Sequence, residues 1–116
     1  MIKITQFDDK YTQDVIDLVL HFQNDGTRPL VTVDDQPDML HITDAYINAG
    51  GNFWTALDDG RLAGTIGIMP CGDDTAVLKK FFVYEKYQDE PHHIGQQLYA
   101  YFLEFAKEKG FKNLSS

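Results

Sequence analysis

Cysteine is almost missing from this 116-residue chain: Cys71 stands alone. A single thiol cannot close an intramolecular disulfide and leaves none of the paired spacings of a zinc site. The reducing cytoplasm is therefore the expected setting. Positive charge is scarce as well, with 10 Lys and Arg against 18 Asp and Glu and a formal net charge of −8. Such a balance argues against non-specific nucleic-acid binding, which needs a basic footprint, and suits a cationic partner. No apolar run approaches the roughly 20 residues that cross a bilayer, and MIKITQFDDK lacks the apolar stretch of a secretory signal. No membrane role is expected. What is present is ordinary for a globular protein, 43% hydrophobic and 24% charged residues. The length predicts one domain over residues 1–116 with a single core.

Periodicity and punctuation give the layout. Ile2 to Phe7 alternates as a strand. Asp8 or Asp9 can cap a helix that carries Val15, Leu18, Val19 and Phe22 on one face and ends near Gly26. A polar connection over 24–36 contains Pro29. A second helix is expected from Pro37, a residue tolerated in a first turn, with Met39, Ile42, Tyr46 and Ile47 apolar and a stop at Gly50-Gly51. Phe53 to Leu57 and Arg61 to Met69 read as strands joined by Asp58-Asp59-Gly60, a hairpin signal. A turn at Gly72-Asp73-Asp74 precedes a strand from Leu78 to Tyr84. After a polar loop, Ile94-Gly95 opens an amphipathic helix that stops at Gly110, and Phe111 to Leu114 begins another extended segment.

The stretch from strand to helix holds most of the chemistry. A helix that opens behind a strand presents first-turn N–H groups with no intrahelical partner, at the positive end of the peptide dipoles. A phosphate fits such an end, and a glycine there lets the backbone come close to it. The adjacent His92 and His93 lack a third ligand nearby and do not make a metal site. No Ser/His/Asp or Cys/His constellation is legible, and Cys71, in a turn region, reads as structural. Lys79 and Lys80 are read as solvated strand charges facing opposite sides. Leu98, Phe102 and Phe105 share the core face of the last helix.

This segment resembles the acetyl-CoA-binding motif of the GNAT superfamily of N-acetyltransferases. Val83 stands where the family strand ends, Gln88 at the Gln/Arg position, His93 where the first glycine belongs and Gly95 at the second glycine. Gln88 and Gly95 are seven positions apart, so the loop is two residues longer than the common form. NFWTALDDGRLAGTIGI is similar to the second and third family strands with their hairpin, and LEFAKEKGFKNL to the tail of the motif helix. The resemblance implies an α/β (α+β) fold with a mostly antiparallel sheet and helices on both faces. It implies acetyl-CoA as co-substrate, no metal, and transfer of acetyl to a primary amine of a small molecule or peptide.

Carried over residue by residue, the resemblance assigns cofactor binding to Phe82 and Val83 through their backbone, and to Gln88, His93, Ile94, Gly95, Gln96 and Gln97 at the loop and helix start. His93 then has to adopt any positive φ required there. Direct attack by the amine calls for a proton acceptor. Glu85, just past the strand end, is the candidate, with His41 behind it. The family domain commonly continues past the position of Ser116 with further strands and a helix. An open sheet edge invites pairing, so a homodimer is expected. The alternative reading is a non-catalytic GNAT-derived module that binds a CoA-like ligand or a protein partner.

Overall fold

The computed structural model describes residues 2–24, 37–72, 74–88 and 93–115. Five strands form one sheet in the order β1-β2-β3-β4-β5: β1 Ile2–Gln6, β2 Asn52–Asp58, β3 Arg61–Pro70, β4 Thr75–Val83 and β5 Asn113–Ser115. The first four pair antiparallel, and β5 runs parallel to β4. Helix α1, Thr12–Gln23, lies on one face and α2, Ile94–Lys109, on the other. This is the expected mixed fold, mostly antiparallel with helices on both sides.

Local chemistry explains most of the frame. Between β2 and β3, Asp59 and Gly60 take φ 50° and 90°, the two positive values of the tight turn that matches strand twist. Five consecutive buried residues in β2, Phe53 to Leu57, fit a central strand covered on both faces. Helix α2 repeats an apolar residue every fourth position, Ile94, Leu98, Phe102 and Ala106, all buried. Burying Ile94, Leu98 and Phe102 contributes about 1.5–3 kcal/mol each, so packing rather than propensity seats α2 on the sheet. Its C-terminus closes at Gly110 (φ 80°), with Phe111 N donating to Ala106 O at 3.0 Å, the left-handed stop that glycine favours. Asp8 Oδ1 accepts from Lys10 N at 3.0 Å and starts the 3-10 turn Asp9–Tyr11 that leads into α1. The predicted end of that helix, near Gly26, and the polar connection through Pro29 lie outside the described residues.

The predicted second helix does not form as one. Pro37–Leu40 is a 3-10 turn and Thr43–Ile47 a π-helical turn. The winding loosens along the segment: His41 N reaches Asp38 O, Ala45 N reaches His41 O, and Asn48 N reaches Thr43 O. Tertiary contacts decide this. Tyr46 must pack edge-on against Phe53, with ring centroids 5.1 Å apart, while its hydroxyl reaches back to Asp38 at 2.7 Å.

A β-bulge in β4 positions everything that follows. Thr65 pairs with Phe82 but Gly67 pairs with Lys79, so two residues of β4 oppose Ile66 alone. Lys80 sits at φ 52° in this bulge, and its carbonyl accepts from the buried Thr65 hydroxyl at 2.7 Å. The extra residue changes the parity of the strand. Ala76 and Leu78 face α2 before the bulge, and Phe81 and Val83 face it afterwards. Phe82 therefore turns toward α1 and stacks on Phe22 at 5.5 Å and 14°.

Candidate active site

Among the described residues the outer edge of β4 is uncovered beyond Val77. Its pairing with β5 covers Thr75, Ala76 and Val77, and no described strand pairs with 78–83 on that side. Alternate residues of a strand address opposite neighbours. The Phe82 carbonyl points at β3, where a Cβ on Gly64 would meet it at 2.8 Å, and Tyr84 N donates to Ala63 O at 2.9 Å. The backbone groups of Phe81 and Val83 thus address the open edge. Of the two strand residues expected at the cofactor, Val83 turns its backbone to the open edge, while Phe82 turns its carbonyl to β3 and its ring to α1. Phe81 turns its backbone to that edge instead, because the bulge shifts the parity by one.

The N-terminus of α2 opens onto this edge. Phe81, Val83, Gln88 and Gly95 line a cleft of about 230 Å³. His93 precedes the helix in the left-handed conformation, at φ 48°, ψ 38°, and Gln97 N donates to its carbonyl at 3.2 Å. Ile94 is fully buried and anchors the first turn, whereas Gly95 is half-buried and Gln96 and Gln97 are exposed. A Cβ at Gly95 would meet only the Phe81 ring, at 3.7 Å. Space, rather than backbone strain, is what this glycine provides. The Gln88 amide donates to the Val83 carbonyl at 2.8 Å, tying the loop to the strand end. His92 lies outside the described residues.

Glu85 begins a 3-10 turn beyond β4, and both its oxygens lie against His21 Nε2, at 3.0 and 3.1 Å. Its own backbone N–H and the His21 ring hold its carboxyl below the usual range. His21, on α1, also lies beside the Tyr84 ring at 5.4 Å. Burial, helped by Asp17, Asp14 and Glu85, pushes the Tyr84 hydroxyl up. His21, Arg61, Leu62, Tyr84, Glu85, Lys86 and Tyr87 line a larger hollow of about 490 Å³. None of these residues belongs to α2, so the larger hollow is not the one served by the helix N-terminus. Sequence reasoning did not find His21, because 64 positions separate it from Glu85.

Sequence reasoning also missed a second polar group, on the α1 side of the bulge. Tyr46, wholly buried, donates to Asp38 Oδ2 at 2.7 Å, and Lys80 Nζ lies 3.9 Å from the same oxygen. Lys80, expected in solvent, is only 14% exposed in its side chain. Burial draws its ammonium below the ordinary lysine value, partly countered by Asp38. Burial, then the bond to Asp38, pushes the Tyr46 hydroxyl up, so it keeps its proton. His41 is exposed and its backbone N–H donates to Asp38 O. Among the described residues no cluster of His, Cys, Asp and Glu is arranged to hold a metal ion, and no helix is long and apolar enough to cross a membrane.

Residues 16–116 match the Acetyltransferase (GNAT) family. The chain belongs to the GNAT acetyltransferases. It is 30% identical over 81 residues to human N-acetyltransferase 8B, covering 66% of this chain and 36% of that protein. The chain thus spans about a third of the length of the curated relatives it matches. A GNAT acetyltransferase from Staphylococcus aureus superposes with a TM-score of 0.88 at 30% identity, over 96% of this chain and 69% of that one. The PaiA N-acetyltransferase of Thermoplasma acidophilum, solved in complex with coenzyme A, shares the fold at a TM-score of 0.73 and 18% identity, over 96% of this chain and 75% of that one.

Proposed function

We propose that this GNAT domain transfers the acetyl group of acetyl-CoA to a primary amine of a small molecule or peptide, by direct attack within a ternary complex. The supporting observation is the α2 N-terminus opening beside the bare edge of β4, where the Phe81 and Val83 backbones address the same cleft as Gly95. The pyrophosphate of the co-substrate sits at the N–H groups of Ile94, Gly95, Gln96 and Gln97, which suit an anion by geometry and dipole. The extended arm pairs with the backbone of Phe81 and Val83, as a strand would. The acceptor approaches from the α1 face, and the acidic balance of the chain as a whole suits a cationic partner at long range. The exposed Tyr99, Tyr101, Leu103 and Leu114 support a homodimer that covers them, which light scattering tests. Calorimetry with acetyl-CoA, followed by steady-state turnover against a panel of primary amines, tests the catalytic reading. Saturable binding with thiol release that depends on an amine is the expected result, and absent binding refutes the reading.

A further inference from the structure

Three irregular pieces of backbone converge on one carboxylate. Asp38 belongs to a 3-10 turn, Tyr46 to a π-helical turn, and Lys80 to a bulge at φ 52°. Each departs from regular structure at some energetic cost, and such departures concentrate at functional sites. Here they bring together a buried hydroxyl, a half-buried ammonium and a carboxylate from positions 38, 46 and 80.

The two oxygens of Asp38 are not equivalent. Tyr46 donates to Oδ2, and Lys80 Nζ approaches the same atom. Among the described residues Oδ1 makes no contact of either kind. The side chain is 26% exposed, so solvent or a ligand can reach it. Among the described residues one oxygen is held and the other is open. Glu85 differs, since His21 occupies both of its oxygens.

The position along the strand also matters. Lys80 lies three residues before Val83, about 10 Å of extended chain. A co-substrate held at Gly95 and extended back along the bare edge comes level with the bulge, away from Glu85. Lys80 is then on the same strand level as the reacting end, with its side chain on the α1 face.

We propose that Asp38 is the acceptor-side catalytic residue, its Oδ1 binding the incoming amine and taking its proton. This rests on the acetyl-transfer reading above. The amine nitrogen donates one N–H to Oδ1 while its lone pair attacks the thioester carbonyl carbon. The new C–N bond forms, the C–S bond breaks, and the sulfur leaves as thiolate. The proton lost by nitrogen passes to Oδ1 and from there to solvent or the thiolate, giving the amide and free thiol. Tyr46 holds Oδ2 and so aims Oδ1. The neighbouring Lys80 ammonium disfavours a second cation and thereby favours the neutral, nucleophilic amine.

Asp38→Asn tests this, since the amide oxygen can still accept from Tyr46. Acetyl-CoA affinity by calorimetry stays within twofold, while turnover falls at least a hundredfold. Asp38→Glu, which restores a carboxylate one methylene further out, recovers at least tenfold over Asn. With CoA bound in place of acetyl-CoA no transfer can occur. Titration of a short alkyl diamine or a lysine-containing peptide then shows amine affinity at least tenfold weaker in Asp38→Asn. Glu85→Gln is measured alongside. Turnover and amine affinity unchanged in Asp38→Asn, or a loss confined to Glu85→Gln, overturns the assignment and leaves the acetyl-transfer reading standing. A wild-type protein that holds acetyl-CoA but neither binds nor acetylates these amines also overturns it. Failure of the wild type to bind acetyl-CoA refutes the underlying reading instead.

Discussion

Replacing Gly95 by aspartate and by alanine separates charge from space at the α2 N-terminus. The structure bounds the steric part. A Cβ at this position has one neighbour, the Phe81 ring at 3.7 Å, an ordinary contact. Gly95 lies inside α2 rather than at a positive φ, so alanine gains about 1 kcal/mol of helix propensity. Aspartate in the first turn also interacts favourably with the dipole, by roughly 0.3–1 kcal/mol. Both variants should therefore unfold at equal or higher denaturant concentration than the parent.

Acetyl-CoA binding should move the opposite way. A carboxylate about 5 Å from one phosphate charge costs about 0.8 kcal/mol at a dielectric of 80 and about 3 kcal/mol at 20. The pyrophosphate carries more than one charge, so the expected loss in Gly95→Asp is at least tenfold, about 1.4 kcal/mol. Alanine should lose less, and by an amount that does not depend on salt. The aspartate penalty should shrink as ionic strength rises. Isothermal calorimetry at two salt concentrations, with a urea melt of each variant, makes the measurement. Unchanged affinity in a folded Gly95→Asp protein refutes the placement of pyrophosphate at this helix.

Two further outcomes follow from backbone and burial. His93→Gly relieves a left-handed L-residue at φ 48° and should raise unfolding free energy by about 1 kcal/mol in a urea titration; a loss of that size would mean that the imidazole, not the backbone, decides the position. Tyr46 has a hydroxyl pKa raised by burial and by its bond to Asp38. Its contribution is therefore fully present below the unfolded tyrosine value near 10 and is lost as pH rises beyond it toward the folded one. Tyr46→Phe should flatten the alkaline fall in stability. An identical alkaline limb in that variant would contradict the shift.

Much of the frame was legible in the sequence because it is local. Asp58-Asp59-Gly60 dictates a tight hairpin through two positive φ angles, and the four-residue apolar spacing from Ile94 to Ala106 dictates which face of α2 is buried. The residues of the small cleft, Val83, Gln88 and Gly95, were legible as neighbours for the same reason, since they lie close together in the chain. The segment from Pro37 to Ile47 was misread because its apolar spacing fits a helix, while its actual winding answers to Phe53 and to the Asp38–Tyr46 bond.

The sequence by itself thus determined the strand-to-helix order, the hairpin, the start of α2 and its stop at Gly110, all set by residues near one another in the chain. Only the tertiary structure decided the rest. The bulge at Lys80 turned the backbone of Phe81 rather than Phe82 to the open edge of β4, with the Thr65 hydroxyl donating to the Lys80 carbonyl. The pairs His21–Glu85 and Asp38–Lys80 join residues 64 and 42 positions apart. No spacing rule reaches that far. Their geometry is fixed by which helix face meets which strand face, and that is settled only when the two sides of the sheet pack at once.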